Sequence, residues 1–503
     1  MKAFWLSGFL CLLCSTSTTA ITFLSFDPQS MAMGGTGVAF SGSHNAALFN
    51  PALIVMTDAE QKTTRIKSFL GVRVIDRSNF LGGLYQYQDN NAEASFDRSW
   101  LQMERQYSQN TLEAGNIRRV ARTASQWRDD IDGLSDRPLH ISGSFGLTLS
   151  QSDGFSGSGI YIRQYSIGGG IIRLSEQNRQ RIDQGIDILT LMADIVDGAE
   201  EVNALGEVIG FERLENLIDD AAETGVASPE LESYYDYPKV EPLVEASIEL
   251  GRLAVELDEY FELDRLRNAL VNGGNLDDLP DLQQYLRYQT DEELDATIYL
   301  EGVDVTELGL SFASQIEQVE GLTLGTTFKY VELDTIDFST GASRFSLSQM
   351  TDKRFQQKHN MLNADLGISY RPDSNYSLGL VVKNIIAREF ETILGKTIQF
   401  RPIARLGMAH AKDDLVLSAE LDLTTNDAKG FDPDKRYLSL GAEYTGWNSA
   451  KLRAGMRIDT QNGTYTPSLG IGFGDKSSYV DLALTVAPKY DELGGAIQAV
   501  WSF

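Results

Sequence analysis

Apolar and polar residues alternate along the C-terminal part of the chain in short segments separated by turn-rich stretches. In the last segment Ile497, Ala499, Trp501 and Phe503 fall on one face, and Ala496, Gln498 and Ser502 on the other. Reading backwards, Val480, Leu482, Leu484 and Val486 alternate with Asp481, Ala483 and Thr485. Leu452, Ala454, Met456 and Ile458 alternate with Lys451, Arg453, Gly455 and Arg457. Leu415, Leu417, Ala419, Leu421 and Leu423 alternate with Ser418, Glu420 and Asp422. A period of two predicts strands, and further segments fall near 468–473, 438–443, 402–410, 377–385, 361–370, 321–331 and 304–313. Each has roughly the ten residues that a tilted strand needs to cross a membrane. Short links at 475–477, 445–450, 412–414, 371–375 and 315–321 alternate with longer ones at 332–360, 386–401, 424–436, 459–465 and 488–495. Short turns at one end and longer loops at the other are the habit of membrane barrels.

Before residue 304 the pattern is interrupted. Strand-like stretches fall at 61–76 and 139–170, with Gly168-Gly-Gly170 read as the bend that ends them. Between them, 77–138 is a charged insertion with a helix expected from Phe96 to Ile131. The segment 171–303 is an acidic, mostly helical insertion. Leu243, Ala246, Leu250, Leu253, Leu257 and Phe261 make one apolar stripe, and Ile182, Ile186, Leu189, Met192 and Ile195 another. The two stripes are expected to pack as an antiparallel hairpin, or else to receive a partner helix. Counting Phe80 to Tyr87 as part of the insertion leaves about fourteen strands, an even number. Both insertions then leave from the end opposite the C-terminus. The fold expected is an all-β transmembrane barrel of about fourteen antiparallel strands with an inserted, mostly α-helical region.

The N-terminus sharpens the compartment. Lys2 precedes an apolar stretch through Leu13 and small residues through Ala20, which reads as a signal peptide over 1–20 with cleavage near Ala20. Cys11 and Cys14 are the only cysteines and lie inside it, so disulfides and thiol chemistry are excluded from the mature chain. The mean hydropathy of −0.20 fits a barrel in which only alternate residues face lipid. The formal net charge of −28 makes nucleic acid a poor direct partner.

Candidate chemistry is sparse. The four histidines, His44, His140, His359 and His410, form no close-spaced metal pair. Gly154-Phe-Ser-Gly-Ser-Gly159 lacks the spacing of a nucleophile elbow. Asp219-Asp220, Asp277-Asp278 and Asp291-Glu292-Glu293 do not follow calcium-loop spacing. No enzyme, metal or cofactor is expected. The most distinctive internal stretch is Met31-Ala-Met-Gly-Gly-Thr-Gly-Val-Ala, followed by Asn50-Pro51-Ala52-Leu53. Gly34, Gly35 and Gly37 permit backbone shapes closed to other residues, and Pro51 stiffens the exit. Residues 21–60 are therefore read as a compact plug inside a lumen. On the strand register Arg65, Arg73, Lys329, Asp365, Arg405, Glu420, Asp422, Glu443, Arg453 and Arg457 face inward. They either pair with one another and the plug, or line a polar conduit. A tunnel for an acyl chain would instead need inward aromatics and aliphatics.

The Met-Gly-Gly-Thr-Gly-Val-Ala and Asn-Pro-Ala-Leu segments resemble the N-terminal plug of FadL-like outer-membrane barrels. With Gly71-Val-Arg-Val-Ile-Asp76 and the long helical insertions, the chain is closest to the TraF-type proteins of conjugative-transfer operons. The resemblance implies a bacterial outer-membrane location among lipid and lipopolysaccharide, and Asn50 and Pro51 in the plug. The terminal aromatics Trp501 and Phe503 would be read by the barrel-assembly machinery. It further implies an interaction or structural role in conjugal transfer, with 171–300 meeting an envelope or cell-surface protein. The alternative is a FadL-like transporter for a hydrophobic or amphipathic small molecule.

Overall fold

The computed structural model describes residues 19–503, apart from 21–22, 24–25, 56–62, 110, 258–295 and isolated positions within 342–351, 427–432, 448 and 476. Fourteen strands close a barrel in chain order. They are β1 Thr63–Ile75, β2 Leu139–Ser152, β3 Ser156–Arg173, β4 Thr297–Gln315, β5 Leu322–Gly341, β6 Gln356–Tyr370 and β7 Tyr376–Lys383. There follow β8 Ile403–Lys412, β9 Leu415–Asp422, β10 Tyr437–Trp447, β11 Ala450–Asp459, β12 Thr464–Gly474, β13 Ser478–Val486 and β14 Glu492–Ser502. Every neighbour is antiparallel, and β14 closes on β1 with Ala496 opposite Gly71 and Val500 opposite Lys67. Phe503 completes the seam by exchanging both backbone hydrogen bonds with Thr64. Closure leaves no unpaired strand edge to face hydrocarbon, where an unsatisfied N–H or C=O costs several kcal/mol.

The alternation of the sequence becomes two surfaces. Leu70, Phe145, Leu308, Phe328, Leu362, Leu469 and Trp501 point outward and are exposed, Leu362 to 72%. An apolar surface of this extent has no place in water; it is the lipid-facing band. Arg73, Asp365, Arg405, Glu420, Glu443, Arg453 and Arg457 are all buried inside.

Four expectations need correction. The wall is taller than ten-residue strands: β4 and β5 have 19 and 20 residues. Gly168, Gly169 and Gly170 do not bend the chain out of the wall. They stay in register with Gly302, Glu301 and Leu300, so β3 runs to Arg173 and the wall resumes at Thr297 rather than 304. The single helix expected over 96–131 is two, Ala92–Ser108 (α4) and Ala114–Asp132 (α5), preceded by Phe80–Asn90 (α3). Folding back at 109–113 stacks Phe96 on Trp127, with ring centroids 5.9 Å apart. Finally, the link 386–401 is not an open loop but a β-hairpin, Arg388–Glu391 with Thr397–Phe400.

The second insertion contributes Glu176–Ile209 (α6), Phe211–Thr224 (α7), Pro229–Glu232 (α8) and Val240–Leu257 (α9). The two apolar stripes on α6 and α9 do meet, but they also share one core with α4 and α5. Phe96, Trp100, Met103 and Ile117 pack with Leu189, Met192, Ile195, Ala246 and Leu250. Phe261 and the acidic clusters at 277–278 and 291–293 lie outside the described residues. Arginines of the first insertion pair with aspartates of the second, Arg118 with Asp194 at 2.8 Å and Arg128 with Asp183 at 3.1 Å. The two insertions, far apart in sequence, therefore make one helical body at the end opposite Phe503. Trp100→Ala is expected to destabilise that body by about 3–5 kcal/mol, the usual cost of emptying a large aromatic site. Its helical circular-dichroism signal should melt early while the barrel keeps its heat-modifiable migration on a gel; simultaneous loss of both would show that body and barrel are one cooperative unit.

Candidate functional site

The plug fills the lumen. Pro28–Ala32 forms a short helix (α1) whose N-cap Asp27 accepts from Ser30 N, and Ser43–Ala46 (α2) and the 3-10 turn Pro51–Val55 follow. These segments are almost wholly buried although they are neither strand nor long helix. Part of their backbone pairs within the plug, as Met31 N with Asp27 O and Gly35 N with Ser30 O; the remaining groups must be satisfied by the wall, because a buried unpaired one is costly.

The wall supplies those partners strand by strand. Ser468 of β12 donates to Ala32 O at 2.9 Å and accepts from Gly34 N at 3.1 Å. Arg405 of β8 donates to Gly35 O at 2.9 Å, while Asp422 holds its other edge at 2.6 Å. The Oε1 of Glu420, on β9, accepts three successive backbone N–H groups, from Gly37 (2.8 Å), Val38 (2.6 Å) and Ala39 (3.1 Å). Ser377 donates to Ala39 O, Thr148 to His44 O and Lys383 to Leu48 O. Lys67, fully buried, donates to the Asn45 side chain.

The motif residues have distinct parts. Gly34 and Gly35 sit at φ +69° and +94°, a shape other residues resist. A Cβ on Gly37 would strike the ring of Phe49 at 2.8 Å. Asn50 is fully satisfied: its amide donates to Val38 O and Ile368 O at 2.9 and 3.0 Å, and its oxygen accepts from Ala52 N at 3.1 Å. Pro51 opens the following turn, where a missing N–H matters least.

Inward glycines of the wall make room for this segment. Added Cβ atoms at Gly325 and Gly367 would collide with the Asn50–Ala52 segment, and at Gly441 and Gly455 with Met33 and Gly34, all within 2.6 Å. They went unread as site residues in the sequence, since a glycine in a strand does not say what approaches it. Lys67, Glu307 and Asp481 were equally missed, yet parity could have found them: Lys67 is in phase with Arg65 and Arg73.

The remaining inward charges pair with one another. Arg453 lies between Glu443 (2.5 Å) and Asp481 (2.8 Å). Glu492 takes Arg457, and Arg73 at 3.4 Å. Lys329 bridges Asp365 at 2.8 Å, and Glu307, which also holds Arg163, at 3.8 Å. Among the described residues, no cluster of three or more His, Cys, Asp or Glu could hold a metal ion.

Nearer the helical end the inner wall turns apolar. Tyr165, Val303, Val305, Val331, Leu333 and Met361 are buried together with Phe390, Ile398 and Phe400 of the 388–400 hairpin. The hairpin reaches them because β7 stops early. It pairs with β6 only from Leu366 to Tyr370. Asn384 then takes φ +56°, its N–H donates to Asp365, and Asn363 brackets Ile386 through N and O. Thr392 is anchored to Asp337 at 2.7 Å. Thr19 and Ala20 add a parallel strand to the other edge of the hairpin; the remainder of the expected signal peptide, 1–18, lies outside the described residues. The expectation that inward aliphatics and aromatics are lacking is thus corrected. Val331 and Leu333 share the face of Lys329; Val331 ends the segment expected as a strand and Leu333 lies in the 332–360 stretch expected as a link, which the structure makes part of β5.

Comparison with known proteins adds the following. No curated protein matches the chain. Among solved structures, the Ralstonia pickettii toluene transporter TbuX is 12% identical, with 95% of this chain and 97% of that one covered at a TM-score of 0.44. The CymD monoaromatic hydrocarbon channel is 10% identical over 96% and 98%, at 0.42. A P. putida toluene transporter, TodX, is 11% identical over 97% of each chain, at 0.38. The family model described as "F plasmid transfer operon, TraF, protein" matches residues 47–422. That range runs from the second half of the plug through the helical body to the end of β9, and the chain accordingly belongs to this TraF family.

Proposed function

We propose that the protein is a gated outer-membrane passage for a hydrophobic or amphipathic small molecule. The observation that supports this reading is the apolar layer inside the lumen, from Tyr165 to Met361. It is covered on one side by a hairpin carrying Phe390 and Phe400 and bounded on the other by the charged layer and the plug. A barrel that served only as a scaffold could fill its lumen with side chains of its own wall. Here two separate segments of the chain, held to the wall by non-covalent contacts, close the two halves, and the surface beneath the hairpin is one that an apolar molecule would occupy if the hairpin withdrew. The short turns and the C-terminus would face the periplasm, and the helical body the outside. Trp501 and Phe503, both exposed at the closing seam, would be presented to the assembly machinery.

Saturable binding of an apolar fluorophore such as phenylnaphthylamine by the purified, detergent-exchanged protein tests this reading. Val331→Asp places an unpaired charge in the apolar layer and should weaken binding about tenfold or more. The outward Leu308→Ala should leave it unchanged. Absence of saturable binding, or equal binding by both variants, would sink the passage.

A second reading is favoured by a different observation: the helical body has a core of its own and stands on the end that would face outward. In a member of the TraF family, this suggests contact with an envelope or cell-surface protein during conjugal transfer. Because α4 and α5 share that core with α6 and α9, deleting one insertion alone would expose apolar surface. Replacing both 77–138 and 174–296 by short turns is the clean test. Transfer frequency between mating cells should fall by orders of magnitude at unchanged barrel abundance; unchanged transfer would count against a contact role.

A further inference from the structure

We infer that Glu420 is the latch of the plug, and that the plug opens by release of its first half. This rests on the gated-passage reading above. The plug is held in two sets of bonds to two parts of the wall. Residues 27–39 bond to the β7–β12 side through Ser377, Arg405, Glu420 and Ser468. Residues 43–55 bond to the other side through Arg65, Lys67, Thr148 and Ile368 O, and through Lys383. Between them Phe40, Ser41 and Gly42 are half-buried, and among the described residues the wall gives them no hydrogen bond. They are the place where the first half can turn while the second stays on its strand-borne anchors.

Within the first half Glu420 stands apart. Among the described residues it is the only wall carboxylate that takes plug backbone N–H groups. It takes three of them on one oxygen, a cradle that favours an anion. Its other oxygen makes no hydrogen bond, and the nearest cation, Arg405, is 3.9 Å away. The charge of Glu420 is therefore shared between Arg405 and three plug N–H groups, and bonds to a charged acceptor are the strong ones. Arg405 is differently placed, since Asp422 already neutralises it. Asn45 and Asn50 dock the two halves on each other with Asp27, Gln29 and Val38 O as acceptors, and these side chains stay with the second half. When residues 27–39 leave, the wall behind them carries Gly441, Gly455 and Gly470, which have no side chains to refill the space. Release of this one segment thus opens the plug's half of the lumen, the half the hairpin does not close, without any change in the barrel.

The sequence after residue 20 has no cysteine, so in a protein beginning there the two halves can be tethered separately. Thr36 Oγ1 lies 3.0 Å from where a Cβ on Gly441 would sit, and Ile54 Cβ 3.4 Å from one on Gly157; because a Cβ on Gly441 also meets Met33, each tether is read oxidised against reduced in the same double variant, with G441C alone as the control for that clash. The measurement is ion conductance of the purified protein comprising residues 21–503 in planar bilayers. Glu420→Gln should raise open probability about tenfold and Glu420→Ala more, because a charged acceptor is lost in each. Glu420→Asp should close most of it again. Oxidised T36C/G441C should abolish the opening and reduction restore it, whereas oxidised I54C/G157C should leave it. Heat-modifiable migration identifies folded variants. A folded Glu420→Gln that conducts like the parent, or conduction that persists with T36C/G441C oxidised, overturns the inference. Conductance needs no cargo, so an open latch with no apolar-probe binding would keep the latch and remove the passage reading.

Discussion

Closure of the strand ladder is the constraint from which the rest follows. With β14 paired to β1, every strand has two neighbours and no edge is left for lipid. Closure also gives the chain an inside. Once one face of each strand is committed to hydrocarbon, the other faces a narrow interior where any polar group needs a partner from protein. The ion pairs around Arg453, Glu492 and Lys329 answer that demand from wall to wall. The plug answers it from within, and is in turn held by it, since the backbone groups that its own short turns leave over are met by wall side chains.

Space and charge cooperate in that arrangement. Inward glycines let the plug backbone approach the wall closely, and inward Ser, Glu, Arg and Lys side chains then meet its N–H and C=O groups. Removing one buried ionic partner from such a layer typically costs about 3–5 kcal/mol, because the other charge remains buried. Polarity is not uniform along the lumen: the taller strands β3–β6 carry their inner apolar residues above the charged layer, where the hairpin covers them.

The helical body illustrates a different use of the same scaffold. Both insertions leave from the end opposite the C-terminus because an odd number of strands, thirteen for the first and eleven for the second, separates each from it. Neighbouring strands bring their roots together, and the apolar stripes of α4–α6 and α9 have a common solution in one shared core. Opposite charges across the join, Arg118 and Arg128 against Asp194 and Asp183, orient the two parts. Isolated, each stripe could only be read as an amphipathic helix in search of cover.

What the sequence determined by itself is everything that depends on local period. Alternation of Leu482, Leu484 and Val486 with Asp481 and Thr485 sets strand and facing; parity of the turns sets the end on which each insertion stands; and Gly34-Gly35 with Asn50-Pro51 marks the plug, because those residue types suit tight, buried, irregular backbone. What only the tertiary structure decided depends on residues distant in sequence. That Glu420 meets Gly37, that Gly455 makes room for Gly34, that Phe390 turns inward onto Val331, and that Phe96 shares a core with Met192 are outcomes of closure, which joins strands hundreds of residues apart. No local pattern carries them, since a strand's period says which way a side chain points but not what awaits it there.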